Sequence, residues 1–257
     1  MGLYDHFRKE ELPFVERSLE ILGQVERTHI VRLTDFLDPR QFAILRSLTS
    51  QVRDVKVEGN GGYPEAERVR ALVFPEYITP AAEDFGLALV EIKGDQRFVK
   101  LQHRDVMGAL LHIGLKREKF GDILLDELGC QTVIAKEIVE FARSQVTQIH
   151  RIPVELVSVP WTQLRPPVRN LAERSITVAS PRLDAVLGEV YHLSRAKALV
   201  PIRGGKVKVN WKVVDDPSHL VQAGDVLSLA GMGRCKVLDV SGTTRSGRIR
   251  LTVGVFI

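Results

Sequence analysis

Between residues 87 and 159 the apolar periodicity switches between two and about 3.6 in an order that few folds accommodate. LALVEIK (87–93) and FVKLQ (98–102) read as a hairpin, and RDVMGALLHIGL (104–115) as a helix. DILLDE (122–127) and TVIAKE (132–137) are two short strands. KEIVEFARSQVTQI (136–149) returns to helical spacing, and VELVSV (154–159) is a last strand. With the first hairpin counted once, the order is β-α-β-β-α-β, which predicts a ferredoxin-like domain.

RNA-recognition modules share that arrangement, as do many unrelated proteins, so the fold alone assigns no function. The aromatic residues that stack bases in such modules are missing from LALVEIK and DILLDE. Any RNA contact by this domain is therefore expected to read shape and backbone. Before it, residues 4–24 predict a helix with Phe14, Leu19, Ile21 and Leu22 as apolar positions. A second helix follows in DPRQFAILRSL, with Asp38 as cap and Pro39 in the first helical position. VKVEGNGGYPEAERVRALVFP (55–75) reads as strand, glycine loop and strand. The expected organisation is multidomain α+β: a small α/β domain over 1–78, the ferredoxin-like domain over 79–160, a linker over 161–179 marked by Pro-Pro, and a last module over 180–257.

With 44% hydrophobic and 26% charged residues, the chain can bury real cores. No stretch approaches the roughly 20 apolar residues of a membrane span. The mixed-charge start MGLYDHFRKEELPF predicts no secretory leader, and a cytoplasmic location is expected. Cys130 and Cys235 stand alone, without CxxC or histidines at ligand spacing, which argues against structural zinc and for a reducing compartment. The net charge of +4 is unevenly spread. Residues 182–257 hold 12 Lys and Arg against 6 Asp and Glu, whereas the rest holds 24 against 26. A polyanion-binding module attached to a near-neutral body is the expectation.

Three short matches to catalytic motifs fail. HRD at 103–105 lacks the other elements of a kinase. HIG at 112–114 lacks the following histidine of the aminoacyl-tRNA synthetase signature and falls at a helix end, where Gly114 can terminate the helix. GNGGY at 59–63 has neither a Walker lysine nor dinucleotide spacing. No catalytic constellation, metal set, cofactor or small-molecule substrate is called for, and a non-enzymatic protein is expected.

The last module is the informative part. A helix from Leu183 to about Tyr191 precedes a second one capped by the Ser194 hydroxyl and ended by Gly204 and Gly205. Pro201, in its last turn, is expected to distort it. The strand KVKVNWKVV then places Lys206, Lys208, Asn210 and Lys212 on one face, with Val207, Val209, Trp211 and Val213 on the other. Arg195 and Lys197 extend the positive surface, and Arg248 and Arg250 repeat the alternation in RIRLTV. Such spacing suits phosphates and supplies affinity and register rather than base specificity. Phosphate contacts are expected from Arg182, Arg195, Lys197, Lys206, Lys208, Lys212, Arg248 and Arg250, with Ser194 and Asn210 on the same surface. Trp211 is expected to seal the core, the alternative being a base stacked on its ring.

RLD (182–184), SRAKA (194–198), Gly205, KVKVN (206–210), AGDVL (223–227) and the terminal GRIRLTV together resemble the S4 RNA-binding family. That family usually has glycine where this chain has Trp211. Over nearly the full length, GGYPEAERVRALVFP, HRDVMGALLHIGLKREKFGDIL and the S4 module, in that order, resemble the YlmH family. The resemblance implies an N-terminal domain, a ferredoxin-like RNA-binding domain and an S4 domain. It also implies binding of structured RNA, either rRNA or tRNA, on the large ribosomal subunit and near obstructed peptidyl-tRNA. The chain looks most like the cyanobacterial and plastid branch named for photosystem II. That branch implies the alternative of an assembly factor working through protein contacts of residues 1–160.

Overall fold

The computed structural model describes residues 3–94, 101–167, 171–244 and 247–256, and the chain divides into two units, Met1–Pro167 and Val168–Ile257. In the first unit, α1 (Leu12–Thr28) begins later than the expected residue 4 and runs past residue 24. Pro13 explains the start, since proline fits the first turn of a helix but breaks its interior. Two short 3-10 turns, Leu3–His6 and Lys9–Glu11, precede it. His29 ends it in the left-handed region at φ 57°.

Next come β1 (Arg32–Leu37), which the sequence reading missed, α2 (Pro39–Leu48), β2 (Val55–Asn60) and β3 (Val69–Pro75). Asp38 caps α2 as expected, its Oδ1 accepting from Gln41 N at 2.8 Å, while Gln41 Oε1 accepts from Asp38 N. These strands pair antiparallel in the order β1-β3-β2, and α1 and α2 cover the sheet through Val15, Leu22, Ile44 and Leu48.

The ferredoxin-like pattern follows as β4 (Leu87–Gly94), α3 (His103–His112), β5 (Phe120–Asp126), β6 (Gly129–Ala135), α4 (Val139–Gln145), β7 (Gln148–Ile149) and β8 (Ile152–Val159). The antiparallel order β5-β6-β4-β8, with β7 appended, gives the split arrangement of that fold. Two details differ from the expectation. Residues 98–100 of the proposed hairpin partner lie outside the described residues, and β6 and β8 already occupy both edges of Leu89–Ile92. The helix expected over 136–149 is shorter, because Lys136–Ile138 form a 3-10 turn and Gln148–Ile149 pair with β8. HRD opens α3, where Asp105 Oδ2 accepts from Gln102 N, so its aspartate serves a helix cap.

Helices α3 and α4 bury one face of this sheet through Val106, Leu110, Val139 and Ala142. Its other face, where RNA-recognition modules stack bases, is closed by the chain itself. Phe36 of β1 and Leu164 pack on Leu89, Val133 and Ala135. Gln131 bonds Gln163 O and Arg165 N, and Arg165 pairs with Glu91 at 2.9 Å and Asp126 at 2.6 Å.

The second unit opens with β9 (Leu171–Val178), inside the segment expected to be a linker. Helix α5 (Leu183–Val190) and helix α6 (Arg195–Arg203) follow, then β10 (Val207–Val209), β11 (Lys212–Val213), β12 (Val226–Leu229), β13 (Gly233–Thr243) and β14 (Ile249–Phe256). Among the described residues they form one antiparallel sheet, β11-β10-β12-β13-β14-β9. All eight residues of β9 pair with β14. Leu183, Val186, Leu187, Val190 and Ile202 of the two helices pack on Val207, Val209, Leu227, Val237 and Leu251 of the sheet's inner face. Pro201 does not interrupt α6, which continues through it to Arg203. No helix among the described residues is long and apolar enough to cross a membrane.

Candidate nucleic-acid interface

KVKVNWKVV is not one strand but a hairpin. Asn210 and Trp211 have φ of 49° and 64°, the sign pattern of a two-residue type I′ loop, and β11 returns antiparallel along β10. The reversal restarts the alternation. Val209 faces Lys212 and Lys208 faces Val213, so Lys212 leaves the lysine face and lies partly buried on the side of Val209. Trp211 sits half-buried at the hairpin tip and is no member of the core cluster, which corrects the core assignment. Asn210 is a structural pin. Its Nδ2 donates to Asp225 Oδ1 at 2.7 Å, its Oδ1 accepts from Val226 N at 2.9 Å, and its own N–H donates to Val226 O. The AGDVL segment thereby holds the hairpin in place.

The predicted cations gather on two surfaces rather than one. The first is a groove of about 490 Å³ on the helix side, lined by Arg182, Arg195, Arg248, Glu189, His192 and Asp184 among others. Asp184, 1% exposed, organises it. Arg182 donates to both of its oxygens, each at 3.1 Å, and Arg195 Nε approaches Oδ2 at 3.4 Å. Burial works to raise the Asp184 pKa, but the hydrogen bonds and charge of Arg182, the Ala185 N–H and the charge of Arg195 outweigh it. Its carboxyl therefore titrates below the usual range. The same bonds and charge from Asp184 raise the Arg182 pKa. Arg195 keeps 72% of its side chain exposed, so its guanidinium is oriented yet open to an incoming anion. Arg248 donates to Thr177 O and lies 3.6 Å from Glu189 at the groove's edge. Ser194 does what its cap position requires, accepting from Lys197 N at 3.3 Å, and both residues are exposed beside the groove-lining Arg195.

The second surface is the sheet's outer face. Lys208 pairs with Ser228, which pairs with Arg234, and partners across antiparallel strands share a face. Lys236 lies two residues beyond Arg234, and Arg250 pairs with Ser241 and Thr177 on that same face. Lys206 is exposed with the parity of Lys208. Lys208 on β10, Arg234 and Lys236 on β13 and Arg250 on β14 thus share one face across four successive strands, β10-β12-β13-β14, each spaced about 4.8 Å from the next. Arg234 also stacks over Phe256 at 5.1 Å. The sequence reading had Asp184 only as a letter of the RLD match and missed Arg234 and Lys236, although the alternation in GRCKV, with Cys235 and Val237 fully buried, carries the signal for the last two. Among the described residues no group of three or more His, Cys, Asp or Glu could hold a metal ion.

Three family models match the chain: "YlmH, N-terminal" over residues 10–78, "Putative RNA-binding domain in YlmH" over 80–163, and "S4 domain" over 181–227. The chain is 42% identical over 250 residues to the ribosome-associated protein quality control protein P2 of Bacillus subtilis, covering 97% of each. It is also similar to the solved structure of the cell division protein ylmH from Streptococcus pneumoniae, at 30% identity and a TM-score of 0.56, over 64% of this chain and 100% of that one.

Proposed function

Since the chain belongs to the YlmH family, we propose that it is a non-enzymatic, cytoplasmic protein that grips structured RNA, ribosomal or transfer RNA on the large ribosomal subunit, through residues 168–257. The observation that carries this reading is the convergence of Arg182 and Arg195 on buried Asp184 at the groove that Arg248 also lines. A buried carboxylate that fixes two guanidiniums while leaving one largely exposed presents charge in a set geometry, which suits phosphate oxygens. The outer row of Lys208, Lys236 and Arg250 widens the positive footprint. A relative named for ribosome-associated quality control supports the ribosome as the partner.

The test is binding of a labelled RNA hairpin as a function of salt. Each neutralised phosphate releases counterions, so affinity falls steeply with ionic strength. Replacing Arg195 and Lys208 together by Ala should preserve the fold and flatten the log–log salt slope by about two. An affinity independent of salt, or a double variant that binds like the parent, contradicts the reading. Assembly of photosystem II through protein contacts of residues 1–160 is the competing expectation. Pull-down with and without ribonuclease separates the two, because RNA-bridged partners disappear on digestion.

A further inference from the structure

The GNGGY loop has a role outside the S4 module. Gly59 packs against Phe42, and Gly61 against Ala66 and Arg68 O. Gly62, at φ +93°, lies so close to Trp161 that an added Cβ would come within 2.5 Å of the six-membered ring. Asn60 Oδ1 accepts from Gly62 N at 2.8 Å and fixes this loop beneath the indole. Trp161 is nevertheless 41% exposed, and it lines a cavity of about 350 Å³ together with Asn60, Gly62, Glu83, Leu87 and Lys136. Lys136 is anchored by its backbone N–H on Gly86 O at 2.8 Å, and its side chain is exposed. Held by a glycine loop on one side and open on another, the ring belongs to neither a closed core nor a free surface.

We propose that this cavity takes one nucleotide of single-stranded RNA. Its base stacks on Trp161, its phosphate meets Lys136, and Asn60 and Glu83 offer an amide and a carboxylate to the base edge. An aromatic face beside a cation is the chemistry that single-stranded nucleic acid uses, and the π-face of any base satisfies it. The cavity supplies a partly exposed aromatic, whereas Phe120 of β5 is fully buried, and it opens at Leu87, on the margin of the sheet face that Phe36 and Leu164 close. This deepens the RNA-binding reading above and rests on it, but it concerns a different unit and a different form of RNA.

The chain has two tryptophans, so in the full-length Trp211→Phe protein Trp161 is the remaining fluorophore. A nine-nucleotide oligoadenylate is expected to quench it saturably. Lys136→Glu, at an exposed position, should raise the Kd about ten-fold. In anisotropy with the labelled oligonucleotide, Trp161→Leu should weaken binding about ten-fold while Trp161→Phe keeps it. An absence of quenching, quenching unaffected by Lys136→Glu, or quenching by an acidic peptide in place of RNA overturns the proposal. Hairpin-RNA affinity measured on the same samples reports the S4 unit separately. Loss there, with quenching intact, would count against the earlier reading and not this one.

Discussion

At the scale of single residues, Asp184 and Trp211 show how a motif letter acquires a physical job. Asp184 is ionised in a buried place because Arg182 and Arg195 outweigh its desolvation. Since its folded pKa lies below the ordinary value, its contribution to stability is complete above about pH 3.9. That contribution is lost as pH falls through the lower folded value. Asp184→Asn should therefore melt several degrees below the parent at pH 7, with the gap closing only in strong acid; circular dichroism melts across pH check this. Trp211 holds φ 64° at a loop position where glycine carries no Cβ penalty. Ala and Gly at 211 remove the same ring, but only Gly removes the left-handed cost of about 1–2 kcal/mol. Trp211→Gly should exceed Trp211→Ala in stability by about 1 kcal/mol in urea titrations. A loss of about 3–5 kcal/mol in both would restore the core assignment.

At the scale of elements, what the sequence made legible were features enforced by local chemistry. Asp38 and Ser194 announce their helices because side-chain oxygens there satisfy N–H groups that the helix cannot. The ferredoxin-like order was readable because α3, α4 and the strands each bury one clear apolar set. The hairpin at Asn210 was legible only as a possible turn, because tryptophan stands where glycine would have signalled a reversal. The strand β9 was hidden for another reason. LAERSITV carries Glu173, Arg174 and Ser175 exposed at its centre, as an edge strand protected against association does, and such a stretch reads as linker. Its removal should be costly, because Val178 is 1% exposed and Ile176 packs on the core. A fragment of residues 180–257 leaves the β14 edge open from Ile249 to Phe256. It should melt about 10 °C or more below a 168–257 fragment and self-associate. Equal melting temperatures and monomeric behaviour in sedimentation would show that β9 adds nothing.

At the scale of the whole molecule, the two units divide the charge more sharply than composition suggests. Residues 168–257 hold 14 Lys and Arg against 7 Asp and Glu, whereas residues 1–167 hold 22 against 25. Long-range attraction of a polyanion follows net charge, because individual exposed pairs are screened beyond about 8–10 Å at ordinary ionic strength. The first unit also spends its cations internally. Arg70 is 5% exposed and pairs with Glu137, Arg40 pairs with Glu11 at 2.8 Å, and Lys119 meets Asp35 at 2.6 Å. Arg117 is pushed down to about 10 by burial and by the neighbouring charge of Arg68 while it stacks over Phe120. These groups hold sheets together and have little left to offer a phosphate backbone. An isolated 168–257 fragment should therefore bind an RNA hairpin with nearly the affinity of the full chain. Its slope against log salt should agree with the full chain's to within about one, the share of a single phosphate contact. An isolated 1–167 fragment should bind the hairpin weakly at physiological salt and still respond to a single-stranded oligonucleotide through Trp161. Filter-binding titrations at four salt concentrations measure all three proteins. A first unit whose hairpin slope matched that of the second would mean that geometry, rather than net charge, sets where this protein meets RNA.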